Sequence, residues 1–225
     1  MSRVFPFAFL MALAVVFAAA AAPEPPGSAP AASEETAASA PADAVPKAPA
    51  DVVNETTEKV LKVLEDPGYK DAQKRKDLRE QIRSILLSVA DMERISVLTL
   101  ANYKSKFSDE QFKQFTETFS RLLFATYISN IEKYNGEKVL ILETKEVGEA
   151  RVMVKTKVTS DVKDIPIDYS LAQEEGQWKV YDIYVEGVSL VKNYRPQFRE
   201  ILLNKSAADF LARIEKKVKE NEEKL

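Results

Sequence analysis

The carboxylates and phenols that could carry out acid–base chemistry lie close together in the C-terminal half of the sequence. They are Asp168, Tyr181, Asp182, Tyr184 and Glu186. A carboxylate beside a phenol can act as a general acid or base, and Tyr181 and Asp182 are the nearest such pair. In a strand, however, successive side chains point to opposite faces, which argues against one shared site. No nucleophile paired with a base is visible, so the sequence favours a protein that is not an enzyme.

The composition excludes several other classes of site. The chain contains neither cysteine nor histidine, which removes zinc sites of the usual ligand types, disulfide bridges and histidine-based catalysis. Lysine and arginine number 32 and aspartate and glutamate 35, for a net charge of −3. No strongly basic domain stands out, so we expect no nucleic-acid partner. We also expect no cofactor.

The first 22 residues have the features of an export signal. Arg3 supplies a positive charge, residues 4–22 are apolar, and the terminal alanines offer cleavage sites after Ala20 or Ala21. The alternative is an uncleaved membrane anchor, because this apolar stretch is close to the minimum length that spans a bilayer. We predict a cleaved signal peptide over residues 1–22.

Residues 23–50 form an Ala/Pro-rich linker with seven prolines. Such a segment cannot bury enough apolar surface to offset the entropy of ordering, so we predict that it is disordered. It is a passive spacer, or a tether if the signal stays attached. Residues 51–225 remain, and they suffice for one domain with its own core.

Helical periodicity dominates the first part of this domain. The predicted helices cover 52–64, 78–89, a short segment within 91–103, about 109–134, and a stretch from Ser206 onward. Ser108 followed by Gln111 is a capping-box pattern that opens the longest of them. This helix carries a row of aromatic and aliphatic side chains along one side. Asn135-Gly136 predicts its C-terminal cap and a turn.

The pattern then changes to that of strands. Four are predicted, over 138–144, 150–158, 165–173 and 177–185. Short connections favour an antiparallel meander. The layout predicts an α+β fold, in which a curved four-stranded antiparallel sheet packs against several helices and wraps against the long aromatic helix. The last strand is unusual, because apolar side chains occur at both parities between Trp178 and Val185.

Two interpretations fit this supply of apolar residues. In the first, helices cover one face of the sheet and the segments after Gly187 fold over the other, so that the core is solid. In the second, helices and sheet do not meet fully, and a long apolar ligand fills the gap. Composition alone does not separate a structural domain from a carrier.

The stretch from Trp178 to Phe198 distinguishes between them. It strongly resembles the signature of the periplasmic phospholipid-binding component of the Mla pathway, also called the toluene-tolerance family. The matching segments, in order and spacing, are Trp178 to Asp182, Glu186 to Val191, Asn193 to Arg195, and Phe198. Weaker agreement extends from about residue 52 to residue 214, and the Ala/Pro linker is not part of the pattern.

The resemblance implies a nuclear-transport-factor-two-like fold and a monomeric periplasmic lipid carrier. Such proteins bury the acyl tails of a phospholipid cargo between helices and sheet. They exchange it with an outer-membrane lipoprotein complex and an inner-membrane ABC transporter complex that has its own substrate-binding domain. This exchange maintains outer-membrane lipid asymmetry. A related subgroup is suspected of carrying hopanoids, and the sequence does not separate the two ligands.

The expected lipid-binding residues are apolar positions on the strands and helices, with ordinary core as the alternative for each. They are Leu123, Tyr127, Val139, Ile141, Val152, Val154, Ile167, Tyr169, Trp178, Val180, Ile183, Val185, Val188 and Leu190. Arg195, with Lys192, could meet a phosphate at the pocket mouth. Alternatively, Arg195 pairs with a carboxylate such as Asp182 or Glu186.

Overall fold

The computed structural model describes residues 47–159 and 163–225. The predicted signal peptide and nearly all of the predicted linker lie outside the described residues. The helices are α1 (Pro49–Leu64), α2 (Ala72–Val89), α3 (Met92–Leu100), α4 (Asp109–Ile131), α5 (Leu190–Asn204) and α6 (Ala207–Glu222), with 3₁₀ turns at Pro67–Lys70 and Ala101–Lys106. The strands are β1 (Lys138–Gly148), β2 (Arg151–Thr159), β3 (Ile165–Glu174), β4 (Gln177–Val185) and β5 (Val188–Ser189).

The strands form one antiparallel sheet in the order β1-β2-β3-β4-β5. The predicted α+β fold and meander are therefore confirmed, with a two-residue fifth strand added. Glu186 and Gly187 form the tight turn between β4 and β5, and both have positive φ, at 50° and 79°. Two successive positive φ values are the geometry of hairpin turns that match the twist of a sheet.

The helix boundaries follow the capping signals closely. At the start of α4, Ser108 accepts from the Gln111 N–H while the Gln111 side chain accepts from the Ser108 N–H, as the sequence predicts. The helix ends at Ile131, so Asn135-Gly136 is a turn before β1 and not the cap. The first helix begins at Pro49, two residues before the predicted domain start, because proline is favoured in the first helical turn.

Helix α5 is absent from the predicted elements, which have no helix between residue 185 and Ser206. The sequence signal is misleading because Pro196 lies inside this helix, where proline usually breaks the hydrogen-bond ladder. Ser189 provides the start, since its hydroxyl oxygen accepts from the Lys192 N–H at 3.0 Å. Tyr194 and Phe198 then point into the core, which fixes the helix by burial.

The largest group of buried side chains lies entirely among helices, and we call this group the helical core. It contains buried side chains of α3, α4, α5 and α6, with an aromatic group at its centre. Phe115 is at the middle of this group, and its ring lies 5.3–5.9 Å from those of Phe107, Phe119, Phe198 and Phe210. The aromatic side of α4 thus faces α5 and α6. The expectation that the sheet wraps against this side is wrong.

Two smaller cores are separate from the helical core. In one, Val53 of α1 packs on Val152, Val154, Leu171 and Val180 of the sheet. In the other, Val60, Ile82 and Ile128 join α1, α2 and α4. A domain of this size usually has one contiguous core with small satellites. Here the buried side chains fall into three groups, and partly covered apolar residues pack against each of them.

Candidate functional site

Two β-bulges explain the apolar residues at both parities in β1 and β4. In β4, Asp182 pairs with Ser170 but Val180 pairs with Leu171, so Tyr181 is an extra residue. In β1, Leu142 is extra between Ile141 and Glu143. A bulge reverses the alternation of faces beyond it and increases the local bend of the strand. Trp178, Val180, Ile183 and Val185 therefore lie on one face.

The pairing register places most of the predicted lipid-binding residues on this same face, which we call the inner face. Directly paired residues share a face, and the pairs Val154–Tyr169, Tyr169–Ile183 and Ile167–Val185 connect three strands. The predicted residues on the inner face are Val139, Ile141, Val152, Val154, Ile167, Tyr169, Trp178, Val180, Ile183 and Val185. Val188 pairs with Val185, so it lies on the inner face as well, and it is exposed.

Only part of the inner face is sealed by protein. Val152, Val154 and Val180 are buried beneath α1, so the structure places them in ordinary core. Tyr169 and Ile183 pack at the margin of that core and remain partly accessible. Ile167 and Val185 are partly accessible as well, and Ile141 is exposed. This end of the inner face is thus mainly apolar and only partly covered. Thr156, between Ile141 and Ile167, is the exception, since it is fully buried and its hydroxyl donates to the Ile167 carbonyl at 2.6 Å.

Helix α4 also carries partly covered apolar side chains. Leu123 and Tyr127 pack at the margin of the helical core, and Phe124 at the margin of the α1–α2–α4 core. The closest packing partner of α4 is α6, whereas the sheet is covered mainly by α1, with α2, α3 and α5 beside β4. We use the name hollow for the space that these partly covered side chains of the inner face and of α4 would line together. Phe124 was missed from the sequence because it falls beside the predicted aromatic row.

Two tyrosines of the hollow show strong desolvation. Burial alone raises the pKa of Tyr169 to about 12, although part of its side chain remains accessible. Burial also raises the pKa of Tyr127, and its phenol lies next to that of the buried Tyr194. The Tyr194 hydroxyl makes no hydrogen bond of standard geometry. In both tyrosines the raised pKa reflects an apolar surrounding that disfavours the charged phenolate.

Asp182 has a structural role that accounts for its burial. The Ser189 hydroxyl donates to its Oδ2 atom at 2.5 Å, and the Val191 N–H donates to Oδ1 at 3.1 Å. Ser189 in turn caps α5. The carboxylate therefore ties the bulge in β4 to the first turn of α5.

Replacing Asp182 with alanine should lower the free energy of unfolding by about 2 kcal/mol, because buried donors from Ser189 and Val191 lose a charged acceptor. Urea denaturation measures this loss. Asp168→Ala is the matched control, because Asp168 lies on the neighbouring strand and is only partly covered. This variant should lower the free energy of unfolding by less than about 0.5 kcal/mol. Equal effects of the two variants would contradict the anchoring role.

The other signature residues on α5 also have structural contacts. The Arg195 guanidinium donates two hydrogen bonds to the Leu98 carbonyl, at 2.7 and 2.9 Å, and so joins α5 to α3. The expected pairing of Arg195 with Asp182 is wrong, because the Asp182 oxygens accept from the start of α5. Leu190 is partly covered at the margin of the helical core.

A cleft of about 500 Å³ opens between α2, α3 and α4. Its walls include Met92, Phe112, Lys113, Thr116 and Ser120, and none of the fourteen predicted lipid-binding residues lines it. This cleft is open to solvent at the surface of the helical layer and is distinct from the hollow.

These features define an α+β protein whose sheet has one mainly apolar face that α1 covers only in part, an arrangement that suits an apolar ligand. Among residues 47–159 and 163–225, no group of side chains could hold a metal ion. No helix in this described part is both long enough and apolar enough to cross a membrane.

The chain belongs to the MlaC protein family, whose family model matches residues 54–216. It is 29% identical to the toluene tolerance protein Ttg2D of Pseudomonas putida over 157 residues, which cover 68% of this chain and 73% of that protein. It is 28% identical over 155 residues to the intermembrane phospholipid transport system binding protein MlaC of Haemophilus influenzae, covering 67% and 68% of the two chains.

A solved structure supports the fold. It is a phospholipid-binding protein of Ralstonia solanacearum in complex with a phospholipid. The TM-score is 0.68 at 22% sequence identity, and the match covers 76% of this chain and 97% of that one.

Proposed function

We propose that this protein is a periplasmic phospholipid carrier that holds acyl tails in the hollow. It shuttles lipid between an outer-membrane lipoprotein complex and an inner-membrane ABC transporter complex, and so maintains outer-membrane lipid asymmetry. The carrier acts as a monomer, has no cofactor and catalyses no reaction. A cleaved signal peptide directs it to the periplasm.

The observation that carries this proposal is the division of the apolar interior into three cores. Partly covered apolar side chains on the sheet, such as Ile183 and Tyr169, are matched by Leu123 and Tyr127 on α4. A solid domain would bury such residues against each other. Membership of the MlaC family, together with relatives named for phospholipid transport and toluene tolerance, supports a lipid as the occupant.

The free energies of transfer are consistent with a carrier that does not itself hydrolyse ATP. Two acyl tails contain about 30 methylenes, and their transfer out of water gains on the order of 25 kcal/mol. Part of this gain is consumed by ordering, because net affinities do not exceed roughly 20 kcal/mol. In a bilayer the tails are already out of water. Exchange between membrane and hollow is therefore close to balanced, while escape into water is slow.

The test is to purify the full chain without detergent and identify any bound lipid by mass spectrometry of the denatured protein. We expect phospholipid at close to one molecule per chain. A chain that carries no lipid would overturn the proposal and favour a structural domain with a solid core. A hopanoid as the sole ligand would replace phospholipid as the cargo.

A further inference from the structure

Tyr169 has an environment that no structural role explains. It lies in β3 on the inner face, directly between Val154 of β2 and Ile183 of β4. Its neighbours two positions away on the same strand, Ile167 and Leu171, are apolar as well. Within residues 47–159 and 163–225, no group hydrogen-bonds to its hydroxyl, and the rise of its pKa to about 12 is caused by burial alone.

Other desolvated tyrosines differ from Tyr169 because a polar group lies close to the hydroxyl. The Tyr69 hydroxyl donates to Glu132 at 2.7 Å, and Tyr184 has Asp182 and Ser189 as polar neighbours. Even the sealed Tyr194 hydroxyl has the phenol of Tyr127 beside it. Buried phenols normally find a hydrogen-bond partner, because an unsatisfied hydroxyl in an apolar environment is costly. A phenylalanine would fill the same position on the inner face without that cost.

The chemistry around Tyr169 selects the kind of acceptor. Its four nearest inner-face neighbours carry no charge and no hydrogen-bonding side chain, so a phosphate placed there would lose its hydration without gaining a cation. A neutral carbonyl is the acceptor that an apolar site with one donor accommodates. In a diacyl phospholipid, the ester carbonyls lie where the tails begin.

We propose that the Tyr169 hydroxyl donates a hydrogen bond to an acyl ester carbonyl of the bound lipid, and so makes Tyr169 a specificity-determining residue of the hollow. This inference rests on the proposed function. The bond fixes how far the tails enter, because the ester must stop at the level of Tyr169. It also gives the protein a preference for ester-linked lipids over lipids of equal hydrophobicity that lack the carbonyl.

The experiment is a competition between two lipids. The full chain is incubated with an excess of vesicles that contain diester and diether phosphatidylethanolamine in equal amounts, with matched chains. The protein is then re-isolated, and the two lipids that it carries are quantified by mass spectrometry. A ratio within one sample is independent of how much protein is loaded. We expect the wild-type chain to favour the diester lipid about threefold to tenfold, the range that one neutral hydrogen bond provides.

Tyr169→Phe should bring this ratio to about one while lipid is still carried. Tyr181→Phe is the matched control on the same sheet, because Tyr181 is the extra residue of the β4 bulge, has no paired residue on β3, and has its ring centroid 5.7 Å from the Arg94 guanidinium. That variant should keep the wild-type ratio.

Three outcomes overturn the inference. A wild-type ratio near one refutes it without any variant, and is the result expected if water satisfies the hydroxyl. A Tyr169→Phe variant that keeps the wild-type ratio refutes it as well. A wild-type chain that takes up neither lipid would overturn the proposed function itself, which distinguishes that failure from the first two.

Discussion

Ile183→Trp should weaken lipid retention in the hollow and leave the fold intact. Ile183 lies on the inner face, is only partly covered, and belongs to the margin of the sheet core. A larger side chain there occupies space that we assign to the tails. If it displaces about two methylenes from contact, retention weakens by roughly 1.6 kcal/mol, or about tenfold. Mass spectrometry of the bound lipid and a thermal melt measure the two effects separately.

Val154→Trp is the matched control for this variant. Val154 lies on the same face, on the other side of Tyr169, but it is fully buried beneath α1. Overpacking there should cost about 1–3 kcal/mol of stability, so the melting temperature falls whether or not lipid is bound. Leu142→Trp, at the exposed bulge of β1, should change neither quantity. Wild-type lipid content in Ile183→Trp would remove Ile183 from the lining of the hollow.

Phe115→Ala should cause the largest loss of stability, about 3–5 kcal/mol. The Phe115 side chain is fully buried, and its ring contacts four other phenylalanines in the helical core. Truncation removes the buried ring and leaves a cavity that its rigid neighbours cannot fill. For a domain of this size, the melting temperature should fall by roughly 10 °C.

Leu203→Ala is the matched control for Phe115→Ala. Leu203 lies on α5 and is 54% exposed, so its truncation should lower the free energy of unfolding by less than about 0.5 kcal/mol. Phe115 is remote from the inner face, so the lipid carried per folded molecule should stay at the wild-type level. A loss below about 1 kcal/mol for Phe115→Ala would mean that the helical core tolerates a cavity.

The sequence predicted the elements that depend on local signals. Capping residues and apolar periodicity placed α4 and α6, and turn residues separated the strands. At the predicted start of α6, the Ser206 hydroxyl accepts from the Asp209 N–H and donates to the Asp209 carboxylate. Helix α5 was missed because its stability comes from burial of Tyr194 and Phe198, which outweighs the unfavourable Pro196. Local propensity does not contain that tertiary contribution.

The candidate site was predictable in outline but not in detail. Strand periodicity identified the apolar residues, and eleven of the fourteen lie on one face of the sheet. Periodicity could not place the bulges, because an extra residue is recognised only from the partner strand. It also could not separate Val154, which α1 seals, from Ile183, which α1 leaves partly open. That difference depends on where one helix crosses the sheet. Lipid contact by each individual residue stays a prediction.

The bulge at Tyr181 makes β4 more sensitive to changes in length than to changes in side chain. Deletion of one residue between Val180 and Ile183 would restore strict alternation and turn Ile183 and Val185 to the other side of the sheet. Asp182 would turn as well, and it would lose its hydrogen bonds from the Ser189 hydroxyl and from the Val191 N–H in the first turn of α5. In homologous chains, the spacing of these residues is therefore expected to vary less than their identities.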